Sequence, residues 1–226
     1  MPELPSNAKK TRPTRRAFTE QEVIETALGL VDRGFGHPVS IRAVATALDV
    51  NPNAIYTYVT SRADLERAVA EHVLGDADQS AFNDESPWND SIVKFCTGLR
   101  TTLLNHPGVA MLLMRAPMDG PAAREIGENL MRILIAAGLD VETASRTTYA
   151  VIVHTLGSIA LEVAETDGTP PLPPEEDRIA GRREALSAID ESDYPLTARS
   201  AGTMADWISG GQFEWGLRAI LAGAGA

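Results

Sequence analysis

Residues 19–74 carry a run of helix-boundary signals that agree with one another, and this agreement constrains the fold more than any other feature of the chain. From about Thr19, apolar residues recur at Val23, Ile24, Ala27, Leu28 and Val31, forming one stripe of a helix. Gly34 follows as an expected left-handed C-terminal stop. Ser40 is placed to cap a second helix whose inward residues are Ile41, Val44, Ala45 and Leu48. After a short turn at Asp49 and Val50, Asn51 caps a third helix with Pro52 at its first position, where a missing N–H costs nothing. Ser61 and Asp64 read as a capping box opening a fourth. Three short helices and the start of a fourth, so spaced, make a helix-turn-helix pattern whose second helix is built for a DNA major groove.

Charge is divided along the chain in a way that fits this reading. The net charge is −11, yet residues 1–75 hold nine Lys or Arg against nine Asp or Glu, so the whole deficit lies in residues 76–226. Five of the nine N-terminal cations fall between Lys9 and Arg16 with no acid among them. A neutral head with a basic arm can meet phosphates, while an acidic body is turned away from the duplex. The 226 residues suffice for a small head and one larger body. No unbroken run of eighteen apolar residues occurs, which speaks against a membrane span. The absence of an apolar leader and the single Cys96 lead us to expect a cytoplasmic, reducing setting.

Residues 1–17, with prolines at 2, 5 and 13, are expected to form a disordered arm, 18–75 the DNA-binding head, and 76–226 a ligand-binding and dimerisation body. Trp88, Ile92, Phe95, Leu99 and Leu103 recur at helical steps. Pro107 opens a short apolar helix, and Pro121 opens another with Ile126, Leu130, Ile133 and Leu134 on its core face. The longest and most apolar helix is expected over 141 to about 167, followed by a mobile proline-rich loop at about 168–177. Two further helices are expected near 178–189 and 204–221. No strand-like alternation of useful length occurs, so the fold class is all-α.

The stretch Ile55, Tyr56, Tyr58, Val59, Ser61, Arg62 and Leu65, the turn Leu48–Val50, and the opening Phe18, Thr19, Val23 or Ile24, Ala27 resemble the TetR family of bacterial transcriptional repressors. Trp88 and Asp90, Leu103 with His106-Pro107-Gly108, Pro117, and Ala137-Gly138-Leu139 are similar to the body of its tetracycline-repressor branch. The resemblance covers nearly all of residues 18–222 and implies a homodimer that occupies operator DNA and leaves it when a small molecule binds the body. It implies that Arg42 contacts a base, where a guanidinium pairing with guanine O6 and N7 gives roughly 1–3 kcal/mol of discrimination. Asn53, Ala54, Thr57 and Tyr58 then form the outward face of the recognition helix, and Ser40, Asn51, Tyr56, Thr60 and Arg62 reach phosphates.

The body departs from that branch. Positions matching the histidine and polar ligands for tetracycline and magnesium hold Leu112, Phe95, Leu99 and Ala77, which offer a hard cation no oxygen ligands. An apolar or aromatic effector is expected instead, held by Phe95, Leu99, Met111, Leu112, Met114, Met118, Met131, Tyr149 and His154. Methionines at such spacing are more often plain helical core, and for His154 the dimer seam or a satisfied core position is favoured over the pocket. The seam is expected to use Val151, Ile152, Thr155, Leu156 and Ile159 on the long helix, with Trp207, Ile208, Phe213, Leu217, Ile220 and Leu221 on the last, as a four-helix bundle with Gly157 at a close approach. No cofactor and no metal site is expected, since His72 and Asp76 lack a third ligand nearby. Other classes remain open at this point: a helical enzyme or ligand carrier, although no metalloprotease pair, phosphate loop or Gly-x-Ser-x-Gly elbow occurs; an adaptor using the head as a protein interface; and a regulator that needs its ligand as corepressor.

Overall fold

The computed structural model describes residues 18–225 except Gly36, Asp84, Ala116 and Pro117, so the basic cluster 9–16 and Pro117 lie outside the described residues. Among the described residues the protein is built of α-helices with one short 3-10 turn at Ser80–Asn83 and no strand, as the all-α expectation required. In chain order the helices are α1 (Glu20–Arg33), α2 (Ile41–Ala47), α3 (Pro52–Ile55), α4 (Arg62–Gly75), α5 (Trp88–Asn105), α6 (Pro107–Leu113), α7 (Pro121–Ala136), α8 (Val141–Ala164), α9 (Glu175–Ser187), α10 (Pro195–Ala205) and α11 (Gly210–Ala224).

Local capping sets most boundaries. Thr19 and Glu22 make a full reciprocal capping box on α1. Ser40 accepts from the Ala43 N–H at 3.1 Å and Asn51 from the Asn53 N–H at 2.9 Å. Ser61 caps α4 as expected, but Asp64 reaches the Thr60 N–H at 2.8 Å rather than that of Ser61, which displaces the box by one residue. Gly34 is not the left-handed stop: its φ is −90°, and Phe35 at φ 52° and Asp49 at φ 53° take that conformation instead. The third helix is a single turn, with residues 56–58 continuing as turn. Helix α8 ends at Ala164 and Glu175 already opens α9, so the loop between them lies about three residues earlier than expected. The C-terminal region holds three helices rather than two, because Pro195 starts α10 before a turn at residues 206–209 separates it from α11.

One apolar core runs from Val23 in α1 to Leu221 in α11, with α4 packed against α1 on one side and α5, α6 and α7 on the other. Fully buried Phe95, Ile92, Leu103 and Leu112 each contribute about 1.5–3 kcal/mol. Helix α8 has the length and composition of a membrane span, with a mean hydropathy of 1.3 over its most apolar window. It is instead the central strut of the bundle, in contact with α5, α6, α7 and α11 and carrying the buried Glu162.

Helix α9 has no buried residue and is held by charge. Arg178 bonds Glu162 at 2.6 Å and Glu165 at 3.3 Å, and Arg182 bonds Glu165 together with the carbonyls of Ala205 and Ile208. Arg100 on α5 joins Glu162 at 2.7 Å and Glu175 at 2.6 Å, and Glu175 in turn accepts the Gly210 N–H at the start of α11.

Candidate nucleic-acid interface and apolar cavity

The residues expected on the DNA face are brought to one end of the molecule by the cap–turn–cap geometry of α2 and α3. Arg42 is exposed on α2, and no carboxylate pairs with it among the described residues. Asn53, Tyr56, Thr57 and Arg62 are exposed; Ala54 is half-buried. Several of the expected contacts already have internal partners. The Tyr58 hydroxyl donates to the Phe18 carbonyl at 2.7 Å with the two rings 5.5 Å apart, which braces the recognition turn against the start of α1. The Thr57 hydroxyl donates to the Ala54 carbonyl, and that of Thr60 to Asp64 at 3.0 Å. The Thr60 N–H and then its hydroxyl hold the Asp64 carboxyl below the usual range. The side chains of Ser40 and Asn51 serve as caps. Arg62 lies 3.8 Å from Glu66, a weak pairing that leaves it 60% exposed. Arg42, Asn53, Tyr56 and Arg62 thus remain the most available donors on this face.

Two carboxylates of the head cap helices of the body. Helices α6 and α7 have no side-chain cap of their own. Asp32, near the end of α1 and 8% exposed, accepts the Gly108 N–H at 3.2 Å and bonds His106 Nδ1 at 2.9 Å. Gly108 is required there, because a Cβ would overlap the backbone at Val31. Glu71 on α4 accepts the N–H groups of Ala122 at 2.7 Å and Ala123 at 3.4 Å, and Arg67 meets Asp119 at 3.0 Å alongside. Each bond places a negative charge at a helix N-terminus, where the helix dipole favours it. The sequence shows no signal for either, since each spans more than 50 residues. His106, between α5 and α6, closes one of these joints.

A cavity of about 130 Å³ lies between α4, α5, α7 and α8. Of the residues expected around a ligand, Phe95, Leu99 and Met118 line it. Leu112 is wholly buried in the core, Met111 and Met131 are half-buried away from the lining, and Met114 and Tyr149 are exposed at 52% and 71%. The helical pitch of α8 exchanges roles at the expected seam: Val151, Ile152, Thr155 and Leu156 line the cavity, Ile159 is core, and Tyr149 faces outward. Leu74, Cys96, Ala123, Ile126, Leu130 complete the wall. His154 joins α8 to α11, bonding the Phe213 carbonyl at 2.9 Å where Gly216 admits its ring. Phe213, Leu217 and Leu221 are buried within the chain, while Trp207 is 56% exposed and Ile208 and Ile220 half-buried. The outward stripe of α8 is Tyr149, Val153, Gly157 and Leu161, and Trp215 is exposed on the neighbouring α11.

Burial pushes the Cys96 thiol up to about 12, with the Thr155 hydroxyl pulling weakly the other way. We expect Cys96 to resist thiol reagents at pH 8 in the native protein and to react once it is unfolded. An unfolded thiol ionises near pH ~8.5. The raised native value therefore favours the fold below that pH, and the advantage is lost as pH rises toward about 12. Rapid native labelling at pH 8 would contradict this placement.

Residues 82–226 match the family model described as tetracyclin repressor-like, C-terminal domain. An HTH-type transcriptional regulator of Saccharopolyspora erythraea is 27% identical over 226 residues, covering 98% of this chain and 89% of that protein. An HTH-type transcriptional repressor of Mycobacterium tuberculosis is 25% identical, covering 96% of this chain and 84% of its own. Among solved structures, a possible TetR family transcriptional regulator from Streptomyces coelicolor A3(2) superposes with a TM-score of 0.75 at 27% identity, covering 91% and 98% of the two chains. The Streptomyces coelicolor TetR family protein ActR, in complex with actinorhodin, superposes with a TM-score of 0.76 at 23% identity, covering 92% and 97%. The relatives are transcriptional regulators rather than enzymes, and this chain belongs to the TetR family.

Proposed function

We propose that this protein is a ligand-responsive repressor that binds a pseudo-palindromic operator as a homodimer through residues 18–75 and is released when a small uncharged molecule fills the cavity in residues 76–226. The observation that carries this reading is the pair of carboxylate caps, Asp32 on α6 and Glu71 on α7, which tie the head bearing the exposed Arg42 to the body, the second of them to a helix that lines the cavity. Ala123, bonded to Glu71, and Leu74, on the same helix as Glu71, both line that cavity. An occupant that spreads the wall at Ala123 and Met118 therefore pulls on α4 and turns the head, favouring release by as much as its preference for the spread form. The crystal structures of ActR with actinorhodin and with (S)-DNPA support a small-molecule site in a protein of this fold.

The expected result is a gel shift of double-stranded DNA from upstream of the protein's own gene that weakens as salt is added. Arg42→Ala should weaken it at least about tenfold, since each head loses roughly 1–3 kcal/mol of base discrimination. Unchanged affinity in Arg42→Ala would favour a head that binds another protein.

The outward face of α8 supports the homodimer part of this reading. Tyr149, Val153 and Leu161 form an exposed apolar stripe on a helix otherwise central to the bundle, and nothing lies within 4 Å of where a Gly157 side chain would sit. Such a stripe on α8, with Trp215 beside it on α11, suits an isologous contact with a second copy. Val153→Glu should convert the dimer to monomer in sedimentation at micromolar concentration and weaken operator binding with it; a wild-type monomer at that concentration would contradict the pairing.

A further inference from the structure

Four buried side-chain oxygens lack a hydrogen-bond partner among the described residues, those of Glu66, Ser91, Thr148 and Thr155, and of these residues only Thr155 lines the cavity. Helical threonines nearby on α5 return their hydroxyls to the preceding turn, Thr101 to the Thr97 carbonyl and Thr102 to Gly98. Thr155 is 2% exposed and makes no such bond; its polar neighbour is the protonated Cys96 thiol, a weak partner. A buried hydroxyl left in this state is costly. Water is a poor remedy, because an ordered water needs two to four polar partners and the remaining wall is apolar.

We infer that the cavity takes an uncharged molecule about the size of one ring, carrying a single hydrogen-bonding oxygen that pairs with Thr155; this rests on the effector reading above and adds the chemical class to it. Size follows from the volume: an apolar cavity of about 150 Å³ admits benzene, and this one is about 130 Å³. Charge follows from the wall, whose described residues include no Lys, Arg or His, so a carboxylate entering it is desolvated without a counter-charge. Polarity follows from Thr155, whose hydroxyl both donates and accepts, and two χ1 rotamers are open to a helical threonine. Met118, 41% exposed, stands at the outer edge of the wall and can shift to admit the ring.

The test is calorimetric titration of the full chain with p-cresol, toluene and benzoate, in the wild type, Thr155→Val and Thr155→Ser. The expected result is that p-cresol binds about five- to tenfold more tightly than toluene in the wild type, the yield of one buried hydrogen bond, while benzoate does not bind. Thr155→Ser should keep this preference and Thr155→Val should remove it with toluene affinity retained. Equal binding of p-cresol and toluene to the wild type, a preference that survives in Thr155→Val, benzoate binding as tightly as p-cresol, or no binding of any probe would each overturn the inference. The gel shift separates the two proposals: a silent titration with intact DNA binding sinks only the ligand class, and p-cresol binding without any DNA binding sinks only the repressor.

Discussion

Glu162→Ala should lower the stability of this protein by about 3–5 kcal/mol, the usual penalty for stranding buried charge. Glu162 is 3% exposed and receives both Arg100 and Arg178 at 2.6–2.7 Å, and those side chains are 12% and 9% exposed. Solvent therefore screens little of the loss. Glu175 and Glu165 keep each arginine partly paired, which places the value toward the lower end of the range. For a chain of this size the melting temperature should fall by roughly 6–12 °C. The damage should be directional. Helix α9 has no buried residue, so α9 and α10 should lose hydrogen-exchange protection before α5 or α8 does. A change under about 1 kcal/mol, the scale of a surface pair, would show that the cluster is solvated rather than buried.

Gly108→Val should be the most damaging glycine substitution in the body. Its new side chain would overlap the Val31 backbone, which cannot step aside as a flexible side chain can. Separating α6 from α1 costs about 1–3 kcal/mol of overpacking and also pulls the Gly108 N–H from Asp32. The head should then be misplaced relative to its copy, so operator affinity should fall by more than the loss of stability alone predicts. Gly98→Ala is the control. That position is helical, with nothing within 4 Å of its new methyl, so the change should be neutral or stabilise by up to about 1 kcal/mol. Both variants are read by thermal denaturation and DNA titration; equal behaviour would show that the α1–α6 joint is loosely packed.

The head was legible because its boundaries are written in local chemistry: Ser40, Asn51 and Ser61 each bond an N–H two or three residues ahead. The long helix α8 was legible from its length and apolar content, but its facing was not. A one-residue change of position turns a helical side chain by about 100°, so Val151 and Thr155 face the cavity while Tyr149 and Val153 face outward. Helix α10 leaves little apolar rhythm in the sequence to mark it, because few of its residues are buried. The joints were not legible at all: Asp32 reaches Gly108 across 76 positions and Glu71 reaches Ala122 across 51. Such pairings exist only once tertiary packing has brought the helix ends together.

Two copies of the Arg42 face are expected to enter successive major grooves of one duplex. Hydroxyl-radical footprinting of the full chain on DNA from its own locus, at low ionic strength, tests this most directly. The expected footprint is two symmetric protected patches separated by a whole number of turns, each about 10–10.5 base pairs, lost together in Arg42→Ala. A single patch, or no protection on any fragment of the locus, would contradict it.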